Sequence, residues 1–182
     1  PDRRAAIIAG AGDPVAFTAR FMDLDAVWTL ATTPCRPPFS LFAGHSMGAQ
    51  TVMMEAGAVA RIGAMGQNRF DAYVALSPQG VGLRFAARAW QRVTKPVLMI
   101  TGTLDKGVDG DFATRLTAFD GLPPGNKRLA IITQATHMTL GGRGDGALAQ
   151  IVPQIVLTWL KDLAITPMPR PPALDGVSFQ QK

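Results

Sequence analysis

The segment Gly44–Gly48, which reads Gly-His-Ser-Met-Gly, constrains the fold of this chain more than any other feature of its sequence. It follows a stretch rich in aromatic residues, Phe39–Ala43, which predicts a strand, and it precedes Ala49–Arg61, which predicts a helix. A serine at a sharp strand-to-helix turn is typical of an exposed nucleophile, because flanking glycines let the two elements pass closely. Ser46 Oγ would then point outward at the carboxyl end of a sheet. The backbone N–H of Met47, at the start of the helix, would be free to stabilise an oxyanion.

The rest of the sequence alternates short apolar stretches with longer amphipathic ones, as in parallel α/β proteins. Further strands are predicted at Phe70–Leu76, Val97–Ile100 and Leu129–Ile132. Helices are predicted at Phe17–Leu30, Val81–Val93, Phe112–Phe119 and 148–163, with Pro153 inside the last. Strands made of continuous apolar residues are typical of a sheet that helices cover on both faces. The sequence therefore predicts an α/β fold with a mostly parallel sheet and helices on both faces.

Two segments near the ends of the chain do not fit this alternation. Ala5–Gly12 is apolar and too short to assign to a helix or a strand by periodicity, and one interpretation is a remnant strand. The residues from Thr166 onward include four prolines and predict an extended or disordered tail. We therefore expect a single domain over residues 1–164 and a Pro-rich tail over residues 165–182.

Composition excludes several classes of protein. Of the 182 residues, 47% are hydrophobic and 17% are charged, which favours a folded core over disorder. The net charge of +5 comes from scattered Lys and Arg side chains without interleaved aromatic residues, so no nucleic-acid partner is expected. No apolar run approaches the ~18 residues of a membrane span. One cysteine, Cys35, and two histidines argue against an internal disulfide and against a metal site, and we expect no cofactor. The compartment stays open, because no signal peptide is visible.

A serine nucleophile at neutral pH needs a base, and the chain offers two histidines. His45 adjoins Ser46, and neighbouring side chains on such a turn diverge, which leaves His137 after the last predicted parallel strand. The base in turn needs a carboxylate that fixes its tautomer. Asp105 lies just beyond the strand that ends at Ile100, and Asp109 and Asp111 in the same loop are alternatives.

The order Ser46, Asp105, His137 resembles that of the α/β-hydrolase superfamily. The likeness is closer to bacterial dienelactone-hydrolase-like and platelet-activating-factor acetylhydrolase-like esterases, with cutinase-like polyesterases near by. It covers about residues 17–164, and the matching segments are Gly44–Ala49, Val74–Pro78, Lys95–Asp105, Leu122–Lys127 and Ala135–His137. The resemblance implies hydrolysis of carboxylic esters with a small or medium acyl group. It also implies an acyl-enzyme on Ser46, with His137 as base and Asp105 as its orienting acid.

The chain departs from this family before the serine turn. Such hydrolases have several strands there, including one whose loop donates a second oxyanion N–H, whereas only 45 residues precede Ser46. The chain thus resembles the C-terminal portion of a hydrolase that lacks the first strands, and a companion chain or a missing N-terminal segment is an expected partner. Cys35 would be a free structural thiol or would pair with a cysteine in that part.

The segment Val81–Thr94 lies where such hydrolases often carry a cap over the substrate. The expected acyl-pocket residues are Phe85, Trp90, Met47, Leu104 and Met138. For Phe85 and Trp90 the alternative is an ordinary core contact. Three arginines recur every fourth residue on the predicted helix and would form either a solvated face or an anion site, namely Arg84, Arg88 and Arg92.

Two other functions fit the same motifs. An acyltransferase or an amidase would use the same three residues and differ in what deacylates the intermediate. A catalytically weak hydrolase-fold subunit would act as a binding module, an alternative raised by the short segment before Ser46.

Overall fold

The computed structural model describes residues 2–143 and 146–182. Helices and strands alternate along these residues and are numbered in chain order. The helices are α1 (Arg3–Gly10), α2 (Pro14–Thr32), α3 (Met47–Glu55), α4 (Phe112–Asp120), α5 (His137–Leu140) and α6 (Gly146–Leu163). The strands are β1 (Leu41–His45), β2 (Ala72–Leu76), β3 (Val97–Leu104), β4 (Lys127–Thr136) and β5 (Val177–Gln181).

The five strands form one sheet in the order β1-β2-β3-β4-β5. The first four strands are parallel, with Ala43 opposite Val74 and Met99 opposite Leu129, and β5 is antiparallel to β4. The carboxyl ends of β1, β3 and β4 therefore lie at one edge of the sheet. The predicted class, an α/β fold with a mostly parallel sheet, is confirmed.

Apolar residues cover both faces of the sheet, as the continuous apolar strands predict. Met99 belongs to a cluster that includes Phe17 of α2, Val52 of α3 and Phe119 of α4. The residues on either side of Met99 point to the opposite face, where they meet Trp159 of α6. Helices thus pack on both faces, with α2, α3 and α4 on one side and α6 on the other.

The first helices differ from the sequence prediction. Ala5–Gly12, interpreted as a remnant strand, lies mostly within helix α1, which ends at Gly10. The predicted helix Ala49–Arg61 ends at Glu55, and Gly57 follows with a φ of +112°. A left-handed glycine directly after the last helical residues is a common way to end a helix.

The predicted helix Val81–Val93 is wrong, because these residues form turns and isolated bridges. Phe85 and Trp90 are both fully buried, and their ring centroids lie 5.3 Å apart. Residues five positions apart face different sides of a helix, so a helix could not bury both in one cluster. The proposed arginine stripe is lost with the helix, and the guanidinium of Arg84 instead donates to the carbonyl of Ile8.

The predicted tail is also wrong over its last residues, since Val177–Gln181 forms β5 and pairs with β4. The buried guanidinium of Arg128 ties the preceding segment down by donating to Pro169 O at 2.7 Å and to Gln181 Oε1 at 3.0 Å. The end of the chain therefore belongs to the sheet. Among the described residues, no helix combines the length and apolarity needed to cross a membrane.

Candidate active site

Ser46 lies on the tight turn between β1 and α3, with φ 57° and ψ −117°. This conformation is strained for a residue with a side chain. Its N–H donates to Leu76 O on β2 at 2.9 Å, which holds the turn against the sheet. A Cβ on Gly44 would lie 2.6 Å from the backbone of Gly48, so the close approach of strand and helix requires the first glycine. A Cβ on Gly48 would meet nothing within 4 Å.

The structure brings Ser46, His137 and Asp105 together. His137 Nε2 lies 2.8 Å from Ser46 Oγ, and His137 Nδ1 lies 2.9 Å from Asp105 Oδ1. Because an ionised carboxylate only accepts hydrogen bonds, Nδ1 is the donor and Nε2 is left to accept the serine hydroxyl. His137 begins α5, whose start is fixed by reciprocal bonds between Thr136 and Thr139.

Asp105 follows β3 and is 1% exposed. Burial by itself would raise the pKa of this carboxyl group, but the neighbouring donors and positive charge outweigh it, so the pKa of Asp105 lies below its usual value. These neighbours are His137, Ser77, Arg115 and Thr101. The Thr101 hydroxyl donates to Asp105 Oδ2 at 2.9 Å.

The two alternative acids have other partners. Asp109 accepts from the Arg115 guanidinium at 3.0 Å. Asp111 caps helix α4 by accepting from the N–H of Thr114 at 3.1 Å. Of the three candidates, Asp105 alone makes a hydrogen bond to His137 among the described residues.

Arg115 of α4 was not singled out from the sequence. It is fully buried, and its Nε lies 3.7 Å from Asp105 Oδ2. The same guanidinium donates to Pro78 O at 3.3 Å, which fixes it behind the acid. A usable signal existed, because Arg115 shares the apolar face of the predicted helix with Phe112 and Phe119. A charged residue at such a position is rare unless it is paired.

Two cavities meet at Ser46. The wider one has a volume of about 700 Å³ and is lined by His45, Ser46, Lys106, Gly107, Val108, His137, Met138, Gly141 and Arg143. The tighter one has a volume of about 90 Å³ and is lined by Ile8, Ala11, Ser46, Met47, Gln79, Leu83, Arg84, Val108 and Asp109. A larger cavity of about 850 Å³ lies along the outer side of α2 and contains none of the three clustered residues.

The expected pocket residues divide into three groups. Met47 lines the tighter cavity and Met138 the wider one. Leu104 is 58% exposed and lines neither of these cavities. Phe85 and Trp90 are fully buried in the core, so the expectation that they line an acyl pocket is wrong. Their large aromatic side chains fill space between the sheet and the turns after β2.

The sequence also points to an oxyanion donor, a cysteine and the question of metal ligands. Met47 is the first residue of α3, where a helix leaves backbone N–H groups without intrahelical partners. Cys35 is an exposed free thiol. Among the described residues, no three His, Cys, Asp or Glu side chains are grouped so that they could hold a metal ion.

Comparisons with known proteins give a fold and no family. No family model matches the sequence, and no curated protein matches it either. The structure is similar to the crystal structure of the esterase domain of a Rhodothermus marinus protein, with a TM-score of 0.57 and 18% sequence identity. The match covers 78% of this chain and 67% of that chain. At this identity the likeness shows the fold alone, an α/β fold similar to that of the matched domain.

Proposed function

We propose that this chain is a serine hydrolase that cleaves carboxylic esters through an acyl-enzyme on Ser46. The observation that carries the proposal is the position of the His137 ring, with Nε2 at 2.8 Å from Ser46 Oγ and Nδ1 at 2.9 Å from Asp105 Oδ1. A serine is activated as a nucleophile when its hydroxyl is hydrogen-bonded to a base and that base is hydrogen-bonded to an orienting acid. The esterase domain of similar fold supports the same class of reaction.

The reaction runs in two halves. Ser46 Oγ attacks the ester carbonyl carbon while His137 Nε2 takes the hydroxyl proton, giving a tetrahedral intermediate. The N–H of Met47 and the positive end of α3 stabilise its oxyanion. His137 then gives the proton to the departing alcohol, and the acyl group stays on Ser46. A water molecule, deprotonated by His137, then attacks the acyl carbon. As the bond from that carbon to Ser46 Oγ breaks, His137 returns the proton to Oγ, and the carboxylic acid leaves.

Asp105 serves this cycle without exchanging a proton. Its low pKa keeps it ionised whenever the enzyme works near neutral pH. The carboxylate holds the Nδ1–H tautomer of His137 and stabilises the imidazolium that forms when His137 takes the serine proton. The buried Arg115 guanidinium stabilises the negative charge of Asp105 from its other side.

The two cavities favour one orientation of the bound ester. His137 must protonate the leaving oxygen, and it lines only the wider cavity, so the alcohol part lies there beside Met138. The acyl part then lies in the tighter cavity beside Met47. A volume of about 90 Å³ suits a small acyl group.

Hydrolysis of a nitrophenyl ester of a short acid tests the proposal. We expect Ser46→Ala and His137→Ala each to lower kcat by roughly 10⁴-fold or more, and the double variant to lose little beyond either single one. Ser178→Ala, which alters an exposed serine on β5, is the control and should retain full activity. Turnover that survives Ser46→Ala would contradict the proposal.

A further inference from the structure

His45 contacts the residue that the proposed mechanism uses as its base, although its place beside Ser46 argues against a role as base itself. His45 Nε2 lies 2.8 Å from the backbone carbonyl oxygen of His137. A carbonyl oxygen only accepts, so Nε2 carries the proton and donates. Consecutive residues therefore hold His137 at two points, with Ser46 bound to its ring and His45 bound to its main chain.

Helix α5 leaves room for this bond. In a continuing α-helix the N–H of Gly141 would bind the carbonyl of His137, four residues earlier. Here that N–H binds Met138 O at 3.1 Å instead, because the helix ends after Leu140. His45 thus donates to a carbonyl group that the N–H of Gly141 does not reach.

The His45 ring lines the wider cavity and also packs against two neighbours. Its centroid lies 4.7 Å from that of the His137 ring, with 47° between the planes. A Cβ on Gly141 would lie 2.9 Å from His45 Cε1, so the glycine provides the space for the ring. The absence of a side chain at Gly141 therefore lets the His45 ring lie in this position.

The surroundings of His45, burial above all, lower its pKa and favour its neutral form. Burial and the neighbouring His137 lower the pKa of His45, with a smaller contribution from Arg115, while the bond to the His137 carbonyl and the charge of Asp105 oppose them. A neutral donor suits this place, because a cation beside His137 would disfavour the imidazolium formed during the reaction.

We propose that His45 is a positioning residue, which holds the backbone of His137 so that its ring stays in reach of both Ser46 and Asp105. The expected effect on the reaction rate rests on the proposed function, because it presupposes that His137 acts as the base of an esterase. The geometric part stands on the hydrogen bond alone, so the two can be tested apart.

The kinetic test compares His45→Phe, which keeps a flat ring without the donor, with His45→Gln, whose amide nitrogen can still donate. We expect His45→Phe to lower kcat by about 10–100-fold with KM changed by less than about twofold, since small misplacements of a catalytic group cost rates of that order. His45→Gln should recover most of the rate. Equal losses in both variants, or a loss explained by lower thermal stability, would overturn the inference.

A second readout works even if the chain turns over no ester. With isotope-labelled histidine, NMR reports the Nδ1–H of His137 that is donated to Asp105, and the two histidines of the chain make assignment simple. We expect this proton to be sharp in the wild-type chain and in His45→Gln, and to be broadened or lost in His45→Phe. An unchanged proton signal in His45→Phe would refute the positioning role, whereas failure of the proposed function would appear as a wild-type chain without esterase activity.

Discussion

Asp105 is a carboxylate that the fold removes from water and then surrounds with donors. The Thr101 hydroxyl and the His137 ring bind its two oxygens, and the Arg115 guanidinium lies 3.7 Å away. An unpaired buried charge would cost several kcal/mol, so these partners are what allow an ionised acid at this place. Both catalysis and stability should therefore depend on the same group.

Replacing Asp105 by Asn should lower kcat by roughly 10²–10⁴-fold, less than the loss of Ser46 or His137, because an amide can present the wrong partner to Nδ1. The depressed pKa also has a thermodynamic consequence. A carboxyl group with a lowered folded-state pKa stabilises the fold above its unfolded pKa of about 3.9, and this stability is lost as the pH falls through the folded pKa.

Urea unfolding at neutral pH and near pH 3 measures how much the ionised Asp105 carboxylate stabilises the fold. The difference in unfolding free energy between the two pH values should be smaller in Asp105→Asn than in the wild-type chain. Asp109→Asn is the matched control, since Asp109 is also bound by Arg115 but does not contact His137.

An Asp105→Asn variant that keeps full esterase activity would show that Asp109 or Asp111 serves as the acid instead.

Arg115→Met should destabilise the fold by about 3 kcal/mol at neutral pH, because it leaves the buried Asp105 without its nearest cation. It should also raise the pKa of Asp105 and so move the acid-induced loss of stability to higher pH. Arg88→Met, at an exposed position, should change the unfolding free energy by less than about 0.5 kcal/mol. Equal stability of the two variants would contradict the role given to Arg115.

Strand β5 lies within residues 165–182, for which the sequence predicts a Pro-rich tail outside the domain. Its residues Val177 and Phe179 pack against the apolar cluster on the α6 side, and Phe179 lies opposite Ala130 of β4. Lys182, directly after the strand, donates to the carbonyls of Phe119 and Asp120 at 2.9 Å. The strand covers the edge of β4 and links it to the end of α4.

Deleting residues 177–182 should lower the midpoint of thermal unfolding by at least about 5 °C, since it exposes apolar surface and unpairs β4. The double variant Ser178→Ala and Gln180→Ala, which changes only exposed side chains of β5, should leave the midpoint within about 2 °C of the wild-type value. A deletion variant as stable as the full chain would show that β5 contributes nothing to the sheet.

The parallel strands were predictable because continuous apolar runs bounded by Gly and Pro identify buried strands. Phe39–Ala43 was displaced by two residues from the observed Leu41–His45, and the start of β3 at Val97 was predicted correctly. The prediction of a helix over Val81–Val93 was wrong because it followed the helical spacing of the arginines. The aromatic side chains of the same segment are buried in one cluster, which a helix does not allow. For β5, the alternation Val-Ser-Phe-Gln after Asp175-Gly176 was a strand signal that the preceding prolines obscured.

The grouping of the three candidate residues was more predictable than the connections between the elements. Parallel strands end at one edge of a sheet, so residues just after β1, β3 and β4 are brought together by topology alone. Ser46, Asp105 and His137 follow from that rule and from the residue types the reaction needs. The apolar face of the predicted helix indicates only that Arg115 is buried and paired. That its partner is Asp105, and that His45 binds the His137 carbonyl, depends on side-chain directions within packed elements.

At the scale of the whole molecule, the carboxyl edge of the sheet carries the proposed reaction, and the two cavities that share Ser46 would hold the two parts of the ester. Lys106 and Arg143 line the wider cavity, while the tighter one is lined by Ile8 of α1 and by Leu83 and Arg84 from the turns after β2. The activation of Ser46 separates the proposed esterase from a binding subunit, because a chain that only binds a partner would have the same fold without a reactive serine.

Reaction with a fluorophosphonate shows whether Ser46 is activated, since the reagent modifies an activated serine whatever the natural ester is. Intact mass before and after the reaction, followed by peptide sequencing, gives the number and position of adducts. We predict one adduct, on Ser46, which forms far more slowly in His137→Ala. A folded chain that stays unlabelled, or that is labelled on another residue, would contradict the account.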